Sequence, residues 1–96
     1  MKYVFSFTSS DDGVSFKEDR RLTFPGESVP YIPEQGDIIE YPSRNGILAL
    51  RSKIQERPEV TYQETDNGDI ATVILTFKVE TLRAVRIPVM SIRDSV

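Results

Sequence analysis

The sequence predicts an all-β fold: a small single-domain antiparallel barrel, SH3-like or OB-like, of about five to seven short strands, with a two-sheet β-sandwich as the alternative. Three observations lead there. Residues 60–79 read as two runs of β-branched and aromatic residues around Asn67-Gly68, the pattern of a hairpin. A second asparagine-glycine pair stands at Asn45-Gly46 between two further apolar runs. No stretch carries a convincing helical period, and Pro25, Pro30 and Pro33 hold the segment between them extended. At 96 residues the chain makes one domain, 1–96, around one modest core.

Taken in order, residues 2–8 alternate, with Tyr3, Phe5 and Phe7 on one side and Val4, Ser6 and Thr8 on the other, which predicts a half-buried strand. Residues 9–13, Ser-Ser-Asp-Asp-Gly, end it with side chains that bond their own backbone. Residues 16–21 fit either one helical turn or a charged strand. The reading adopted is strand or turn, followed by a strand at 21–24 that sends Leu22 and Phe24 to the core. After the proline-rich crossing, residues 36–41 begin another strand. With Asn45-Gly46 as a two-residue loop, Tyr41 faces Leu50 and Glu40 faces Arg51, an apolar pair and an ion pair on opposite sides.

Residues 47–62 read as one long strand broken near Pro58, which cannot donate to a central ladder and so marks an edge, a bulge or a bend. A bend would let that strand serve both hairpins. A type I′ turn at Asn67-Gly68 pairs Asp66 with Asp69, Gln63 with Thr72, Tyr62 with Val73, Thr61 with Ile74 and Val60 with Leu75. The inward set of the next strand is then Ala71, Val73, Leu75, Phe77 and Val79. A last short strand is expected over residues 84–92, confined to an edge by Pro88.

Composition removes much chemistry. Without cysteine or histidine there is no thiolate metal site, no disulfide, no thiol nucleophile and no imidazole base. Asp66-Asn67-Gly68-Asp69 has the oxygen-rich start of a calcium loop but lacks the later ligands, so it reads as a turn, as does Asp11-Asp12-Gly13. Glu34, Asp37 and Glu40 are not placed by sequence around one cleft and read as a solvated strand edge. The dispersed glycines form no phosphate loop. The expectation is therefore a non-catalytic protein with no cofactor and no metal.

The net charge of −3 and a pI near 4.9 disfavour a nucleic-acid partner. Charge is uneven: residues 11–40 hold eight acids against three bases, whereas residues 81–93 hold Arg83, Arg86 and Arg93 and no acid. These arginines are the candidate interface residues, and Tyr31, Tyr41 and Tyr62 the candidate aromatics of a ligand-binding face. The functional expectation is a β module acting through protein contacts, including with itself as a homo-oligomer; oligonucleotide or small-ligand binding on a barrel face is the alternative. Two acids interrupt the N-terminal apolar stretch before it reaches signal-peptide length, and no run is long enough to cross a bilayer, so a soluble, cytoplasmic protein without a membrane partner is expected.

Overall fold

Strand β6 (Ile70–Arg86) is the spine of the computed structural model, which describes residues 1–26 and 31–87. Around it stand β1 (Lys2–Ser9), β2 (Lys17–Pro25), β3 (Ile38–Pro42), β4 (Leu48–Ile54) and β5 (Glu59–Glu64). They form one mixed sheet in the order β2-β1-β6-β4-β3, with β5 also paired to β6. The fold is all-β, and no α-helix occurs among the described residues.

β6 is long enough to serve two sets of neighbours. Its first half pairs with β1 in parallel and with β5 antiparallel; Tyr3 and Tyr62 both face Val73, and Phe5 and Val60 both face Leu75. Since one residue row pairs with both strands, β1 and β5 must lie on opposite edges of β6. Its second half pairs with β4, from Ile54 opposite Val79 to Leu48 opposite Arg86. Successive carbonyls of a strand point to opposite edges. Phe77 O accepts from the Thr8 hydroxyl at 2.9 Å on the β1 side, and Lys78 O accepts from Gln55 N–H at 2.9 Å, so the β4–β5 segment runs along the other edge. The break expected near Pro58 is thus a detour between two strands that share one edge of β6.

Both predicted hairpin registers are present, although neither uses the predicted turn. Tyr41 lies opposite Leu50 and Glu40 opposite Arg51, while Val60, Thr61, Tyr62 and Gln63 lie opposite Leu75, Ile74, Val73 and Thr72. A type I′ turn needs positive φ at both central residues, yet only the glycines have it, at 75° for Gly46 and 84° for Gly68. Gly46 N–H bonds Ser43 O and Ser43 N–H bonds Leu48 O, which makes a four-residue loop. Two-residue and four-residue loops leave the same register. At the other hairpin, Gly68 N–H bonds Thr65 O and Thr65 N–H bonds Asp69 O, a three-residue loop that shifts the pairing by one. The shift between Gln63 and Glu64 leaves Ala71 as an extra residue and restores the predicted pairs.

Three expectations are corrected. The sheet is not closed into a barrel, because among the described residues β2 and β3 end it on either side without pairing to each other. It is not purely antiparallel, because β1 pairs with β6 in parallel. This pairing sets Phe5 against Leu75 and Phe7 against Phe77 on one face and Ser6 against Thr76 on the other, so side-chain matching across distant strands outweighs the simpler meander. No separate last strand begins at Ala84; β6 runs unbroken to Arg86, and a register shift leaves Leu82 as its extra residue. Residues 88–92 of the expected strand lie outside the described residues, as does Pro30. The ambiguous segment 16–21 is strand from Lys17 onward.

One face of the sheet carries the core. Phe5, Phe7, Val73, Leu75, Phe77 and Val79 from the β1–β6 part meet Tyr41, Leu50 and Ile54 from the β3–β4 hairpin, with Leu22, Phe24 and Ile39 packed at the margin. Phe77 is fully buried between Phe5 and Phe7, at 5.4 and 5.2 Å between ring centroids. Removing such a side chain from water stabilises by about 1.5 to 3 kcal/mol. The inward set read from the sequence is buried from Val73 to Val79, with Ala71 half-buried at the bulge.

Candidate functional site

Two regions hold groups that regular sheet pairing does not use: a polar seam between β2 and the β3–β4 turn, and the open edges of β5 and β6.

The seam starts from a register shift. Phe7 pairs with Arg20 and Thr8 with Glu18, so Asp19 is the extra residue of a bulge in β2. Glu18, turned to the outer face, accepts from the Ser6 hydroxyl at 2.6 Å and from Arg21 Nε at 2.9 Å. The Ser6 hydrogen bond, with Arg21 assisting, holds the Glu18 carboxyl below the usual glutamate range. Arg44 of the turn donates to Glu18 O at 2.7 Å, and Arg20 Nη1 reaches Ser43 O at 3.4 Å. These contacts hold the β3–β4 hairpin over β2 by side chains where barrel closure would use a ladder.

Behind the seam, the Tyr41 hydroxyl lies 3.3 Å from Ser52 Oγ in the core. Burial, with the Asp19 charge adding to it, pushes the Tyr41 phenol up to about 12. Asp19 Oδ2 and Arg20 Nε are buried without a hydrogen-bond partner among the described residues. A groove of about 330 Å³ lined by Glu18, Asp19, Ser43, Arg44, Asn45 and Leu50 opens beside them. Among the described residues no group of three or more acidic, histidine or cysteine side chains is placed to hold a metal ion.

The second region is more extended. All six residues of β5 are exposed, including Val60 and Tyr62 on the core face, and among the described residues β5 pairs with β6 alone. Residues 80–86 of β6 are likewise all exposed, and opposite β4 their edge has no strand among the described residues. Alternation from the bond between Ile87 N–H and Ile47 O directs the main-chain groups of Ala84 and Arg86 to that open edge. The same reasoning from Thr65 N–H directs those of Tyr62 and Glu64 away from β6.

The candidate arginines do not form one cluster. Arg83 pairs across the strands with Arg51 on the outer face, whereas Arg86 pairs with Leu48 on the core face. Arg93 lies outside the described residues. Glu40 stands opposite Arg51, but the two do not close to ion-pair distance, so the like-charged Arg51 and Arg83 face each other without an acid between them.

Nor do the candidate tyrosines share a surface. Tyr41 is in the core, stacked on Phe7 at 4.4 Å. Tyr31, in the loop before β3, is 68 % exposed and donates to Asp37 Oδ2, which pushes its phenol up to about 12. Tyr62 is 59 % exposed on edge strand β5. The sequence reading missed Asp19 and Arg20, since a bulge leaves no local composition signal, and it missed the edges themselves, which depend on strand order. Comparison with protein-family models, with curated proteins and with solved structures finds no match to this chain.

Proposed function

We propose that this chain is a non-catalytic β module that acts through protein contacts at its open sheet edges, with self-association as the simplest form. One observation supports the reading above the rest: two stretches of strand, β5 and residues 80–86 of β6, are exposed along their whole length and offer main-chain groups that pair with no strand among the described residues, beside exposed Val60, Tyr62, Leu82 and Val85. An open edge is a template for another strand, and apolar neighbours add burial to its hydrogen bonds. The charge on these stretches, Glu80, Arg83 and Arg86 on one and Glu59 and Glu64 on the other, selects among partners.

Sedimentation equilibrium from low to high micromolar concentration, at low and moderate salt, tests the reading. The expected outcome is a concentration-dependent mass that falls as salt screens the charges. A single 10.9 kDa species throughout rejects self-association.

A second reading, small-ligand binding, is favoured by the seam groove with its Asp19 and Arg20 groups that find no partner among the described residues. The aromatic face that an oligonucleotide would need has no counterpart in the dispersed positions of Tyr31, Tyr41 and Tyr62.

A further inference from the structure

We infer that the two open edges are complementary to each other, so that the end of β6 in one molecule adds antiparallel to β5 in the next; this rests on the edge-contact reading above. The edges lie on opposite sides of the central strand, since β5 occupies the side of β6 away from β1 and the open edge of residues 80–86 continues the β1 side. A molecule that uses one edge therefore keeps the other, and the contact is head-to-tail.

Charge and register both fit. The β5 hairpin carries four acids, Glu59, Glu64, Asp66 and Asp69, while the open stretch 80–86 carries Arg83 and Arg86 beside one acid, Glu80, and none of these side chains is in an ion pair among the described residues. Pairing the outward main-chain groups of Tyr62 and Glu64 with those of Arg86 and Ala84 keeps core face next to core face across the junction. In that register Arg86 lies opposite Tyr62, within reach for a cation–π contact, and diagonal to Glu64. Arg83 falls opposite Thr65 and beside the acidic turn, which adds negative charge to the like-charged Arg51–Arg83 pair, neither member of which is in an ion pair among the described residues. An isologous β6–β6 contact would instead bring together the arginines of both copies, with Glu80 as the one acid from each. A heterologous contact closes as a ring if the rotation allows and otherwise extends as a chain.

Two edge-blocking variants decide the matter. The N–H groups of Tyr62 and Ala84 both point outward, so Tyr62→Pro and Ala84→Pro each remove a donor from one open edge without breaking a bond of the internal ladder. In sedimentation velocity each variant alone is expected to stay monomeric, and the two mixed in equal amounts to form a dimer and nothing larger, while wild type grows beyond the dimer. Self-association of wild type without recovery in the mixture overturns head-to-tail pairing but leaves edge contacts standing. A monomeric wild type overturns both. If either proline variant loses its strand circular dichroism, the charge reversals Glu64→Arg and Arg86→Glu replace the pair: each alone should weaken association roughly tenfold, about 1.4 kcal/mol, and the mixture or the double variant should regain it. Additive losses without recovery overturn the pairing.

Discussion

Tyr41 lies flat against Phe7, with ring centroids 4.4 Å apart and planes within 12°, and this stack joins the β3–β4 hairpin to the β1–β6 part of the sheet. The two residues are on strands that share no ladder. Where a barrel would be held by closing hydrogen bonds, this fold is held by such side-chain contact across the core and by the Glu18–Arg44 contacts at the rim. Tyr41→Ala should therefore cost about 3 to 5 kcal/mol, the range for truncating a buried aromatic. Tyr41→Phe keeps the stack and should cost about 1 kcal/mol, because it leaves Ser52 Oγ buried without its partner. Urea denaturation of both variants checks this, and equal losses would mean that the hydroxyl rather than the ring does the joining.

The same tyrosine sets an alkaline limit. Its phenol is pushed from 10.0 up to about 12 in the folded protein, mainly by burial, so the unfolded chain loses this proton first. The stabilisation is complete below pH 10 and is lost as pH rises toward 12. The exposed Tyr31, bonded to Asp37, shifts in the same direction. Denaturant midpoints measured across this window should fall with pH, less steeply in Tyr41→Phe, and a slope unchanged in that variant would remove Tyr41 as the cause.

At the acid end the corresponding group is Asp12. Its Oδ1 accepts from Ser15 N–H at 2.9 Å, Val14 N–H at 2.8 Å and the Ser10 hydroxyl at 2.8 Å, and these bonds hold the carboxyl down at about 2 from 3.8. The contribution to loop order is present above pH 3.8 and disappears as pH falls through 2. Carboxyl-detected NMR titration should find the Asp12 midpoint near 2, with the Val14 and Ser15 amides shifting alongside it. An ordinary midpoint would mean that the turn does not hold these bonds in solution.

Gly68 has φ of 84° and nothing within 4 Å of where a Cβ would stand, so a side chain there meets strain but no clash. Gly68→Val should cost roughly 1 to 3 kcal/mol for a β-branched residue held left-handed. Asn67 lies at negative φ, so Asn67→Ala should cost well under 1 kcal/mol, which a type I′ turn would not permit. Comparable losses in the two variants would argue for the two-residue turn.

Phe77 is fully buried and Thr76, its neighbour on the opposite face, is half-buried. Phe77→Ala should cost about 3 to 5 kcal/mol and Thr76→Ala under about 1 kcal/mol in thermal or urea unfolding. Similar losses would mean that a second layer covers the outer face.

Short-range chemistry determined by the sequence alone is found where a turn ties two strands together. The pairing of Tyr62 with Val73 and of Tyr41 with Leu50 could be read because alternation and an asparagine-glycine turn leave few registers that match apolar side chains. The number of loop residues was not legible, since a four-residue loop preserves the register and a bulge at Ala71 compensates for a three-residue one. Tertiary structure decided the rest. The parallel pairing of Phe5 with Leu75 joins residues far apart in the chain, with no turn to announce it, and depends on which strand surfaces match best once the hairpins exist. Asp19 points into the seam only because β2 bulges against β1, and Arg83 and Arg86 part to opposite faces because β6 continues as a strand. The open edges of β5 and β6 follow from strand order, a property of the assembled sheet that no single segment carries.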